Sequence, residues 1–154
     1  MVDMAKKILK KSPELLNPDE DVLGACVVLP VGQFKKNVAF GAVGGAVGAT
    51  IGQRVSGKAV PSPERTMAET LRVSRQSILA VTNQRWVLFE QGLMNGGAKS
   101  VQAQWTHQQI DRLDFEKSWL TSRIDVVFAD GSIAQFEAVK GARPERLVEA
   151  VALV

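Results

Sequence analysis

From Ser77 onward the chain is a succession of short, β-rich apolar runs separated by turn residues, and this texture most constrains the fold. "SILAVTN" and "RWVLFEQ" meet at a tight turn around Asn83 and Gln84, and "GLMNGGAK" reads as a loop. "SVQAQWTH" then alternates, with Val101, Ala103 and Trp105 on one side, and "IDRLDF" alternates through Ile110, Leu113 and Phe115. "RIDVVFA" and "IAQFEAV" flank "DGS", a strong hairpin signal because glycine accepts the backbone geometry of a tight turn. Upstream, "DVLGACVVLP" reads as a buried strand ended by Pro30. The closing "ARPERLVEAVALV" reads as a helix with Pro144 in its first turn and Leu147, Val148, Val151 and Leu153 available for burial. The order is therefore one strand, a long insertion, six strands and a closing helix. Such a chain is mainly β (α+β), with an antiparallel sheet.

With 154 residues, 45% of them hydrophobic and 23% charged, the chain suits a single domain over 1–154 with a core of useful size. Residues 1–16 form an amphipathic segment, "DMAKKILKKSPELL", in which Met4, Ile8 and Leu15 share a face and Pro13 limits the helix. Two readings fit it: a solvated, frayed helix, or a contact with a membrane surface. No apolar signal-peptide core is present, so the expected location is cytoplasmic, at the inner face of the membrane if the protein binds there.

Residues 31–75 break the strand pattern. They hold seven basic residues against two acidic ones, a balance of +5, whereas 1–30 and 76–154 each balance to −1. The whole positive excess of a chain with net charge +3 thus lies in this insertion. That total is too small to indicate nucleic acid, but the concentration suits an anionic partner. Inside it, Gly41 and Gly45 form one G-x-x-x-G, and Gly44, Gly48 and Gly52 form an overlapping pair of them. Residues four apart share a helical face, so a helix here presents a smooth groove for close packing. Glycine disfavours an isolated helix by about 1 kcal/mol relative to alanine, so a partner must offset that loss. Three settings remain open: packing inside protein, including a homo-oligomer built through a glycine zipper; contact with a membrane; or a flexible loop. The uncharged run from Asn37 to Gln53 is shorter than the roughly 20 residues needed to span a bilayer.

The stretch "ILAVTNQRWVLFEQG", with its Thr-Asn-x-Arg turn between two apolar strands, resembles the signature hairpin of bacterial pleckstrin-homology-like (PH-like) and GRAM-like domains. "WTHQQIDRLDF", "IDVVFADGSIAQFEAV" and the terminal helix resemble that family's later strands, last hairpin and capping helix. Residues 78–153 carry the resemblance, Asp21–Pro30 supplies a first strand, and 31–75 departs as an inserted glycine-zipper helix where a short loop is usual. The resemblance implies a half-open antiparallel barrel with one end plugged by the helix. It also implies that the first connecting loop offers basic residues to phospholipid headgroups, here Lys35, Lys36, Arg54 and Lys58. The expected function is a non-enzymatic adaptor at an anionic membrane surface. The alternative is a homo-oligomeric or protein-interaction module in which Gly41, Gly44, Gly45, Gly48 and Gly52 make the contact. Thr82, Asn83 and Arg85 are expected to serve the turn rather than a ligand.

Catalytic readings find little support. "GQRVSGKA" nearly matches a phosphate-binding loop, but Ala59 stands where a magnesium-holding hydroxyl is needed and prolines follow where a helix should start. No cofactor is expected. Cys26 is the only cysteine and sits in an apolar run, as an inert buried thiol would. His107 is the only histidine, expected to be exposed or capping, so no multi-histidine metal site can form. Asp111, Asp114, Glu116, Asp125, Asp130 and Glu137 read as the solvated face of a sheet rather than an acid–base pair.

Overall fold

The computed structural model describes residues 3–31, 67–71, 76–119 and 121–154. Asp3 opens helix α1 (Met4–Lys11) by accepting the Ala5 amide at 3.0 Å and the Lys6 amide at 3.4 Å, and Lys10 and Lys11 complement the carbonyl end. Ser12 ends the helix because Pro13 disfavours helical geometry in the residue before it. Seven strands follow among the described residues: β1 (Val22–Pro30), β2 (Ser77–Thr82), β3 (Trp86–Gln91), β4 (Ala98–Trp105), β5 (Ile110–Lys117), β6 (Thr121–Phe128) and β7 (Ile133–Val139). Between β1 and β2 lies a four-residue helix, α2 (Met67–Thr70), and the chain closes with α3 (Pro144–Val151). The segment "MAETLRVS" is thus helical at its start.

Every strand pairing is antiparallel, in the order β4-β3-β2-β1-β7-β6-β5. Strand β1 joins two sheets: Val22–Val28 pair with β2, and Leu29 and Pro30 pair with Glu137 and Phe136 of β7. Strands β4 and β5 are the outer members of that order, so the barrel is open between them. The Trp105 and Phe128 rings, 5.2 Å apart and tilted by 54°, pack across the two sheets beside that opening.

The two sheets differ in what covers them, and the sequence pattern follows from that. Leu79 and Val81 of β2 enter the core between the sheets with Cys26, Val28, Trp86 and Leu88. Ile78 and Ala80, facing the other way, pack with Val87 and Phe89 beneath Met4, Ala5 and Ile8 of α1. A strand covered on both faces carries a continuous apolar run, and β2 is buried at every position. The second sheet alternates instead: Ile124, Val126, Phe136 and Ala138 point inward, while Asp114, Glu116 and Arg123 are exposed. Helix α1 is therefore not a solvated, frayed segment. Its shared face of Met4 and Ile8, with Ile8 wholly buried, is the lid of a second core.

Helix α3 packs on β1, β2 and β5, with Leu147 and Ala150 in the core. The expected burial of Val148, Val151 and Leu153 is corrected in part: the first two are half-buried, and Leu153, beyond the end of the helix, is exposed. A short side chain, Ala150, faces β1 where the strand's backbone comes closest to the helix, at Gly24.

Candidate functional site

The sequence singles out the insertion, and the described residues on either side of 32–66 rest on one hairpin. Strand β1 delivers the chain at Pro30, paired with Phe136 of β7. The chain returns at Met67, whose amide donates to Asp130 Oδ2 at 2.8 Å, while the Ala68 amide donates to Ser132 Oγ at 3.2 Å. Asp130 and Ser132 belong to the "DGS" turn between β6 and β7, where Gly131 takes a φ of 87°. Partial desolvation opposes ionisation of Asp130, yet the hydrogen bonds from Ser132 and Met67 outweigh it and hold the carboxyl below its usual range. Met67, Ala68 and Leu71 then pack against the core. The hairpin read from sequence as a turn is thus also the cap of α2. Lys35, Lys36, Arg54 and Lys58, together with Gly41, Gly44, Gly45, Gly48 and Gly52, lie outside the described residues.

The Thr-Asn-x-Arg turn is an internal clasp. The Glu20 carboxylate, fully buried, accepts from Arg85 Nε at 2.8 Å, Arg85 Nη2 at 3.0 Å, the Thr82 hydroxyl at 2.7 Å and the Asn17 amide at 2.7 Å. Burial by itself raises the Glu20 pKa, but the Arg85, Asn17 and Thr82 hydrogen bonds together carry it below its ordinary value. Arg85 also donates to the Leu15 carbonyl at 3.1 Å and to Gln104. Asn83 exchanges two hydrogen bonds with the backbone of Asp21, and the Gln84 side chain donates to the Pro18 carbonyl. The motif therefore fastens residues 15–21 to the β2–β3 turn, and the guanidinium is spent on that contact.

A second basic surface, apart from the insertion, is formed by α1. Met4, Ala5 and Ile8 face the sheet, which leaves Lys6, Lys7, Lys10 and Lys11 along one flank of the helix, three of them exposed. The Ser12 hydroxyl donates to the Ala98 carbonyl at 2.7 Å and ties this helix to the start of β4. The β3–β4 loop lies alongside: a Cβ on Gly96 would stand 3.1 Å from Lys7 Nζ, and one on Gly97 would stand 3.9 Å from Lys11 Cβ. At the tip of that loop Leu93 and Met94 are 90% and 100% exposed. Two large apolar residues in "GLMNGGAK" were the available signal, but only tertiary packing brings the loop that carries them against the lysine-bearing helix.

The remaining candidates for chemistry serve structure. Burial, with a smaller contribution from the Glu145 carboxylate, pushes the Cys26 thiol up to about 12, so it stays protonated and unreactive at neutral pH. His107 neither lies exposed nor caps the turn. It is half-buried, its ring nitrogens find no partner among the described residues, and the turn is held by the Thr106–Gln109 capping box. Arg112 pairs with Asp111 and Asp114, and Arg123 pairs with Asp125, all on the second sheet. Among the described residues no cluster of His, Cys, Asp or Glu could hold a metal ion, and no helix is long and apolar enough to cross a membrane.

Comparison with known proteins agrees with this architecture. A family model described as "Bacterial PH domain" matches residues 16–152. The match begins after α1, so the lysine-bearing helix stands outside the part of the chain that the family model covers. No curated protein matches the chain.

Proposed function

The chain belongs to the bacterial PH domain family, and from that premise we propose a non-enzymatic adaptor that binds an anionic membrane surface or lipid through its basic insertion. PH-like domains are generally non-catalytic modules that often bind lipids or proteins. The observation that carries the lipid reading is charge: the insertion balances to +5 in a chain whose remaining parts balance to −1 each. Lys35, Lys36, Arg54 and Lys58 flank its uncharged centre and would each contribute about 1 kcal/mol beside an anionic surface. The protein would then work at the cytoplasmic face of the membrane, as a peripheral component.

Co-sedimentation with vesicles containing phosphatidylglycerol tests this reading. Binding should fall as salt rises, because screening acts over about 8 Å at physiological ionic strength, and should weaken on charge reversal at those four positions. Undiminished binding by the reversed protein refutes the insertion as the contact.

The four-residue spacing of Gly44, Gly48 and Gly52 favours a second reading, self-assembly through a glycine face. Gly48→Val would separate the two. Loss of an oligomer with lipid binding kept supports assembly, and loss of lipid binding from a folded monomer supports membrane contact.

A further inference from the structure

We propose that the lysine flank of α1 and the Leu93–Met94 tip of the β3–β4 loop together form a docking face for an anionic lipid bilayer, distinct from the insertion. The proposal shares with the reading above the premise that the protein works at an anionic membrane, but it places the contact on different residues.

Three observations converge on it. The first is the juxtaposition itself. Lys7 and Lys11 border the glycines of the β3–β4 loop, and Lys6 and Lys10 continue the same flank of the helix. Among the described residues none of these four lysines has a carboxylate partner within ion-pair distance, in contrast to Lys99, which lies 3.7 Å from Glu90. The second is the apolar tip. Leu93 and Met94 project almost wholly into solvent from a tight loop closed by the Gly92 amide on the Gly97 carbonyl at 2.7 Å and by Gly97 on Asn95 Oδ1 at 2.9 Å. A loop closed by those hydrogen bonds, presenting two large apolar side chains while its glycines lie against a lysine-bearing helix, suits the boundary between headgroups and acyl chains. There the lysines reach phosphates while the apolar pair leaves water.

The third is the charge on the far side of the molecule. The outer face of the second sheet, away from α1, carries Asp114, Glu116, Asp125 and Glu137 against Arg112 and Arg123, and both arginines are held by neighbouring carboxylates. A molecule basic on one side and acidic on the other turns its basic side towards an anionic surface before contact. An acidic protein would satisfy the lysines but offers no reason for the apolar tip, which is why a bilayer is the occupant inferred.

The test uses the full chain and vesicles of phosphatidylglycerol and phosphatidylcholine. The paired reversal Lys6→Glu with Lys10→Glu, and separately Met94→Asp, alter exposed side chains and leave both cores intact. Each should lower vesicle affinity about tenfold or more, since each charge contributes at an anionic surface and an aspartate at the tip opposes entry. A protein reversed at Lys35, Lys36, Arg54 and Lys58 is measured beside them. If the α1 and Met94 variants lose binding, the docking face stands, whether or not the insertion contributes. If they bind like the parent while the insertion variant fails, the docking face is overturned and the insertion reading survives. Retained binding by Met94→Asp alone overturns the apolar half and leaves a surface that an acidic protein could equally fill. Absence of any binding by the parent chain overturns both readings.

Discussion

Gly24 of β1 lies directly beneath Ala150 of α3: a Cβ at position 24 would stand 2.6 Å from the Ala150 Cβ and 2.5 Å from the Arg146 carbonyl oxygen. No real Cβ tolerates such distances, and the clash includes helix backbone rather than a movable side-chain end. Gly24→Ala should therefore push α3 off the sheet and destabilise the protein by about 1–3 kcal/mol, as overpacking does. In a domain of this size that corresponds to a fall in Tm of about 2–4 °C per kcal/mol. Urea unfolding reads it directly, and an unchanged midpoint would show that the helix is not seated against β1.

The Glu20–Arg85 clasp makes a prediction with a sign in pH. Arg85→Ala leaves a buried carboxylate without its partner and should lower stability by about 3–5 kcal/mol. The Glu20 pKa lies below its ordinary value of 4.5 in the folded protein. Its stabilising contribution is thus fully present above the unfolded value and disappears as pH falls through the folded one. The stability gap between the parent and Glu20→Gln should accordingly narrow on acidification below about pH 4.5. A gap independent of pH would refute the role of the ionised carboxylate.

Removal of the α2 cap should act locally. Asp130→Ala takes away the acceptor for the Met67 amide, and loss of such a cap costs about 0.5–2 kcal/mol. Hydrogen exchange at the Met67 amide should quicken while the amides of β2 keep their protection. Because the Asp130 pKa is also lowered on folding, acid should produce the same release in the parent as pH drops through the folded value. Equal exchange in parent and variant would show that the contact does not hold the helix.

Helix α1 should behave as part of the fold. Ile8→Ala empties a fully buried site between α1 and the first sheet, a change that costs about 2–5 kcal/mol in a packed core. The measurement is again the unfolding midpoint, accompanied by limited proteolysis near Ser12. A loss under about 0.5 kcal/mol would match a surface substitution and would mean that α1 is a loose appendage.

What local pattern alone determined is considerable: the succession of strands along the chain, the "DGS" hairpin, the buried thiol and the closing helix could all be read from short-range periodicity and turn chemistry. Each of those signals is carried by residues within a few positions of one another, where backbone preference and alternation act directly. The tertiary structure alone decided which face α1 covers, why β2 is buried at every position, and that Asp130 caps a helix beginning at Met67. It also decided that Arg85 closes on Glu20, that Gly24 admits Ala150, and that the loop carrying Leu93 and Met94 lies against α1. The partners in each case are far apart in sequence, and an amphipathic stretch such as "MAKKILKK" specifies an apolar face without specifying what will cover it. Local energetics choose the elements; burial of one element's apolar face against another chooses their neighbours, and that choice exists only once the chain has folded.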